Sequence, residues 1–224
     1  MTRTPSAMPR ASATTLESEC TLAERAALTA VLRDKGYTGA HLEVGTAAGG
    51  TLKELMGVYD ADSRPPFFVV DPMTYFDDQL AKVKTNLTDA GIDPETVTFW
   101  IGTTEDHLPP ARAAGQRFDF IFLDGDHRHY PTTVDLGWAD LVTPGGTICL
   151  HDRTEKFPGV GWSIDRFLDR NPAYRFVSQT DSLVILEKTA EATRQAVTTA
   201  DLWAASWAQR KFKTARSIRR RLGR

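Results

Sequence analysis

The sequence predicts an α/β fold, a three-layer sandwich whose mostly parallel seven-stranded sheet ends in an antiparallel hairpin. Three observations predict it. Short apolar runs alternate with longer amphipathic stretches from residue 40 to residue 170, the pattern of a parallel sheet covered on both faces. The first of these runs opens into a glycine-rich turn, 43–50, and later runs end in acids. The last two runs are separated only by Gln179-Thr180-Asp181-Ser182, too short for a parallel crossover, so that pair must be antiparallel.

The elements follow in order. Thr21-x-x-Glu24 is a capping box, and Leu22, Ala26, Leu28, Val31 and Leu32 follow at roughly helical spacing, predicting a helix that stops near Gly36. Strands are expected over Ala40 to Val44, Phe67 to Val70, Val97 to Ile101, Phe118 to Leu123, Thr147 to Leu150, Tyr174 to Ser178 and Leu183 to Glu187. Helices are expected over Gly50 to Val58, Asp77 to Ala90, Thr104 to Ala114, Thr132 to Leu141 and Ser163 to Arg170. Residues 1–15, rich in Ser, Thr, Ala and Pro without an apolar core, read as a disordered leader. Residues 16–190 form one domain that includes the first helix, and 191–224 form a basic amphipathic tail.

A chain of 224 residues, 41% hydrophobic and 25% charged, can bury a sizeable core. Cys20 and Cys149 form no CxxC pair, which argues against a disulfide scaffold or zinc-thiolate site and for a cytoplasmic location. No apolar run approaches the ~20 residues that span a bilayer. The net charge of −2 hides an asymmetry: Arg210 to Arg224 holds eight Lys or Arg and no acid, leaving a body of 19 basic and 29 acidic residues at −10. An acidic body argues against a nucleic-acid groove.

The turn Glu43-Val44-Gly45-Thr46-Ala47-Ala48-Gly49-Gly50 lets backbone turn sharply and approach a ligand closely. Asp71 ends the second strand, where an acid can accept both hydroxyls of a ribose. Gly102-Thr103-Thr104 follows the third strand, with Thr104-Glu105-Asp106 also readable as a plain helix start. The fourth strand ends in Asp124-Gly125-Asp126-His127. After a helix and Pro144-Gly145-Gly146, the fifth ends in His151-Asp152. If those two strands are neighbours, ~4.8 Å apart, Asp124 and Asp152 project together, and one pKa rises unless a cation sits between them. A hard dication such as Mg²⁺ suits oxygen ligands with open positions.

These motifs resemble the class I, Rossmann-like methyltransferases. E-x-G-x-x-x-G is similar to their first motif, and D-G-D-H followed by P-G-G and H-D is similar to a subfamily near catechol O-methyltransferase and the macrolide-sugar O-methyltransferases. The resemblance covers Gly39 to Lys188. It implies an S-adenosyl-L-methionine site built from Glu43, Gly45, Thr46, Gly49, Asp71, Thr103 and Asp124. It also implies Mg²⁺ ligands at Asp124, His151 and Asp152, with His151 standing where many relatives carry another acid. The implied reaction is O-methylation of a small-molecule hydroxyl on a natural product, sugar or glycolipid. Asp126 or His127 is the candidate base, since an imidazole titrates near neutrality. His129 reads as a loop residue, and His41 and His107 as structural or exposed residues.

Two other classes remain open: an NAD(P)-dependent oxidoreductase, and a non-catalytic nucleoside-binding module recruited to a membrane. The tail, with Leu202, Trp203, Trp207 and Phe212 beside its basic run, has three readings: contact with an anionic membrane, nucleic-acid binding, or packing on its own body or on a second subunit of a homodimer.

Overall fold

The computed structural model describes residues 18–221, with side chains through residue 214; the leader 1–15 lies outside the described residues. Helix α1, Leu22–Lys35, starts at the reciprocal Thr21/Glu24 box and ends where Gly36 turns left-handed. Then follow β1 (His41–Val44), α2 (Gly50–Met56), β2 (Phe67–Asp71), α3 (Gln79–Asp89), β3 (Val97–Ile101), α4 (Thr104–Ala113) and β4 (Phe118–Leu123). The second half comprises α5 (His129–Asp135), β5 (Val142–Leu150), α6 (Pro158–Arg170), β6 (Tyr174–Thr180), β7 (Leu183–Lys188) and α7 (Thr199–Arg221).

The seven strands run in the order β3-β2-β1-β4-β5-β7-β6. β7 is antiparallel to both neighbours, and the other pairings are parallel. Strand order reverses between β1 and β4, which opens a crevice at their carboxyl ends where such sheets hold ligands. Alternation along the strands builds a core on each face. Ile121 of β4 points to one with Trp138 and Ile164, while Phe120 and Phe122 point to the other with Leu28, Leu52 and Val83.

Three expected boundaries move. β5 begins at Val142 rather than Thr147, because the Pro144-Gly145-Gly146 turn is a bulge inside the strand: Phe118 pairs with Val142, but Phe120 with Thr147. Gly145 takes φ +84°, and a Cβ on Gly146 would lie 2.8 Å from the Asp119 carbonyl oxygen. α5 starts at His129 instead of Thr132 and tightens to a 3₁₀ helix over Leu136–Leu141. α6 starts at Pro158 instead of Ser163. Its two early glycines read as loop in the sequence, yet Gly159 permits contact: a Cβ there would lie 2.5 Å from the His129 nitrogen and 2.6 Å from the His127 carbonyl oxygen.

Candidate active site

A cavity of about 970 Å³ occupies the crevice, lined by the turns after β1, β2, β3, β4 and β5. Its wall at β1 is backbone in special geometry. Gly45 has φ +82°, and a Cβ there would lie 2.4 Å from the Asp124 carbonyl oxygen. The turn therefore needs glycine twice over, for its dihedral angle and for its contact with β4. Gly49, at φ +80°, starts α2 and faces Val83, and Ala47 is left-handed too.

Asp71 ties this turn to β2. Its carboxylate accepts from the Thr46 nitrogen at 2.9 Å, the Met73 nitrogen at 2.6 Å and Gln79 Nε2 at 3.2 Å, and Gln79 Nε2 also donates to the Ala47 carbonyl. Glu43, 1% exposed, accepts from the Thr46 hydroxyl at 2.6 Å through Oε2, while Oε1 is buried without a partner. Burial, helped by the charges of Asp124 and Asp71 and opposed by Thr46, pushes its carboxyl up to about 8. A buried acceptor with no donor in a cavity wall is a place for a ligand's N–H or positive charge.

At the β3 end Thr103 lines the cavity, but its nitrogen and hydroxyl both donate to Asp106 in a capping box, at 2.8 and 2.7 Å. Thr104 donates to buried Asp135 and accepts from Trp138 Nε1. Asp135, another cavity residue, is pushed up to about 7 by burial and by the charges of Asp126 and Glu105, against the Thr104 hydrogen bond.

The wall at β4 and β5 is made of charged side chains. Asp124 and His151 follow directly on the paired strand ends, and Asp124 Oδ1 lies 3.0 Å from His151 Nδ1. His151 Nε2 lies 3.1 Å from Glu24 Oε2 of α1. Glu24 also accepts from the Thr21 nitrogen and from the nitrogen and hydroxyl of Ser182, between β6 and β7. Burial opposes its ionisation, but hydrogen bonds from Ser182, Thr21 and His151 outweigh that and hold the carboxyl at about 2. Burial likewise opposes a charge on His151, but its hydrogen bonds to Asp124 and Cys20 and the Asp124 charge push it up to about 12.

Asp152 sits at φ +64°, an uncommon conformation for a residue other than glycine, and its Oδ2 lies 3.2 Å from His127 Nε2. The His127 ring lies against Phe157, centroids 4.4 Å apart. Asp126 is clamped by Arg128, whose Nε reaches both carboxylate oxygens at 2.8 Å. Burial raises the Asp126 pKa, but Arg128 outweighs it and holds the group below the ordinary carboxylate range.

Two groups of three have ligand atoms within 4.8 Å of one another among the described residues: Asp124, His127 and Asp152, and Cys20, Asp124 and His151. The expected set of Asp124, His151 and Asp152 is not among them. Both ring nitrogens of His151 face carboxylates, Asp124 at Nδ1 and Glu24 at Nε2. His127, expected as a base, joins Asp124 and Asp152 in the first group, and His151 joins Asp124 in the second.

The sequence shows Glu24 only as a helix cap and gives no sign of Gln79, Asp135 or Ser182 as site residues. Each meets the site through contacts between distant segments, and only the capping box gives a local signal. The structural histidines are as expected: His41 is buried with Nε2 2.7 Å from the Tyr59 hydroxyl, and His107 stacks on Trp100. His129 is not in a loop but is the first residue of α5.

An open sheet with a cavity at the carboxyl ends of β1 and β4, closed by an antiparallel hairpin, defines a Rossmann-like α/β protein. Residues 42–153, half of the chain, match the family described as "Methyltransferase domain", and the chain belongs to that family. A protein of Mycobacterium sp. (strain JLS) named as an O-methyltransferase is 30% identical over 125 residues, covering 56% of this chain and 53% of that protein. The chain thus matches about half the length of that relative. The fold is similar to that of an O-methyltransferase from Bacillus cereus solved in complex with SAH (TM-score 0.62, 17% identity, 77% of this chain and 83% of that one). It is also similar to TomG from Streptomyces achromogenes, an O-methyltransferase involved in tomaymycin synthesis and solved with SAM (TM-score 0.59, 17% identity, 76% and 82% covered).

Proposed function

We propose that the protein transfers the methyl group of S-adenosylmethionine to a hydroxyl of a small molecule, whether natural product, sugar or glycolipid. The observation that carries this is the unpartnered, buried Oε1 of Glu43 in a cavity wall shaped by Gly45, in a chain of the methyltransferase-domain family. On this reading Glu43 receives the ammonium of the methionine portion, and Gly45, Thr46 and Gly49 wrap it with backbone. Asp71 takes the ribose hydroxyls, and Thr103 borders the adenine through its backbone, its hydroxyl being engaged by Asp106. Asp124, whose backbone meets Gly45, stands between donor and acceptor.

The reaction is an in-line displacement: the acceptor oxygen attacks the methyl carbon and the carbon–sulfur pair leaves with S-adenosylhomocysteine. The protein's task is to orient the two reactants and take up the acceptor's proton. His127 suits that task better than Asp126, whose basicity Arg128 lowers by engaging both carboxylate oxygens. Asp152 at Nε2 orients the ring, and Nδ1 receives the proton. Asp124, His127 and Asp152 are also the residues that would hold a dication. When bound, it would supply Lewis acidity that eases loss of the acceptor's proton. A mixed set of two carboxylates and an imidazole accepts Mn²⁺, Fe²⁺ or Zn²⁺ as well as Mg²⁺.

Membrane contact through the tail, self-association as a homodimer and a cytoplasmic location are proposed independently of the donor; no described helix is long and apolar enough to cross a membrane. Calorimetry with S-adenosylmethionine, NAD⁺ and NADP⁺ tests the donor, and binding of a dinucleotide alone would refute it. Transfer of a labelled methyl group to hydroxyl acceptors in EDTA, Mg²⁺ or Mn²⁺ tests the rest. Full turnover in EDTA would assign His127 as the base and remove the metal.

A further inference from the structure

The two faces of α7 differ sharply. The inner face is tied to the body: Asp201 bridges Arg166 and Arg170, Ala205 is fully buried, Gln209 Oε1 accepts from the Tyr130 nitrogen at 3.0 Å, and Phe212 lies against the His129 ring. The helix position is therefore held by specific contacts. On the outer face Trp203 and Trp207, one turn apart, are 71% and 60% exposed. Arg210 continues the stripe. Lys211 Nζ sits 3.6 Å over the Trp207 ring, and no acid follows Asp201 to the end of the chain.

A soluble surface has no need of two exposed indoles in one stripe, and large exposed apolar patches mark interaction sites. Indoles beside cationic side chains match the boundary between anionic headgroups and acyl chains, where the ring buries its apolar body while the cations face phosphate. The cations alone would suit a nucleic-acid backbone equally; the two indoles favour a bilayer boundary.

The placement adds a consequence for the active site. Arg128 and Tyr130 line the cavity, and α7 meets this segment where Gln209 accepts from the Tyr130 nitrogen and Phe212 lies against the His129 ring. α7 therefore links the outer stripe to α5, which lines the cavity, through contacts on its opposite face. We propose that α7 is an interfacial anchor that lays the protein on an anionic bilayer, and that the methyl acceptor is an amphiphile presented at that surface. The second half rests on the methyl-transfer reading; the first does not.

The test is co-sedimentation of the full chain, without donor, with phosphatidylcholine vesicles containing or lacking phosphatidylglycerol. The comparison uses W203S/W207S and R210Q/K211Q/K213Q, none of which touches the cavity. The wild-type chain should sediment with the anionic vesicles, with a blue-shifted indole emission that W203S/W207S removes. Partitioning should fall roughly fivefold for each charge removed. A wild-type chain left in the supernatant overturns the anchor. So does a dimer in analytical ultracentrifugation that W203S/W207S dissolves without any vesicle binding, since a second copy would then cover the stripe. If the chain binds vesicles but labelled methyl appears only on water-soluble acceptors, the anchor stands and the amphiphilic acceptor falls. If it binds vesicles and transfers methyl to nothing, the methyl-transfer reading fails by itself.

Discussion

The two walls of the cavity are built by different means. The wall at β1 and β2 combines short-range side-chain bonds with longer ties: Thr46 donates to Glu43 across three residues and Met73 to Asp71 across two, while the Thr46 nitrogen reaches Asp71 across 25. The wall at β4 and β5 is made of strangers. His151 meets Asp124 across 27 residues and Glu24 across 127, and Glu24 meets Ser182 across 158. The glycine turn takes part of its geometry from dihedrals and bonds a few residues apart, whereas the ionised cluster holds its geometry only when several elements have packed around it.

This contrast can be broken on either side, and the largest effect is expected at Gly45. Gly45→Val faces both a forbidden dihedral and a collision with the Asp124 carbonyl, so it should cost about 5 kcal/mol and abolish donor binding. Chemical denaturation and calorimetry check the two losses. On the other wall, Glu24→Ala leaves His151 and the Ser182 donors without their partner and should cost about 3–5 kcal/mol, although Glu24 touches no ligand in the proposed scheme. The variant should also flatten the acid limb of the stability curve. A carboxyl held at about 2 instead of 4.5 contributes stability that is present above pH 4.5 and is lost as pH falls toward 2. Denaturation midpoints of both proteins across that window would show it; identical limbs would refute the role.

His127→Ala should lower kcat about 10²-fold or more while leaving donor affinity and stability unchanged, which separates chemistry from architecture. An equal loss in S-adenosylmethionine affinity would place His127 in the donor seat instead. The smallest effect concerns Glu43. With its carboxyl pushed up to about 8, it holds its proton at pH 7, and an ammonium placed at Oε1 favours the carboxylate. Donor binding should therefore release up to about one proton below pH 8 and none well above it. Calorimetry in buffers of different ionisation enthalpy measures this directly, and no buffer dependence would remove Glu43 from the seat.

Much of the molecule is legible in the order of its residues. Alternation of apolar runs places all seven strands, and the short link after Thr180 makes the last pair antiparallel. The spacing of Glu43, Gly45 and Gly49 marks the turn, and acids at strand ends mark Asp71, Asp124 and Asp152. These readings succeed because strand period, glycine dihedrals and caps depend on residues a few positions apart. The start of α6 is misplaced for the opposite reason: Gly159 looks like a loop signal until α6 is seen packed against the backbone of His127 and His129.

The sequence by itself determined the order of elements, the glycine turn and the set of acids at one edge of the sheet. The tertiary structure alone decided how those acids are used. It locked His151 between Asp124 and Glu24 and paired His127 with Asp152. Whether a carboxylate or imidazole is free to act depends on which charges share its low-dielectric surroundings, and that is settled by packing between distant segments.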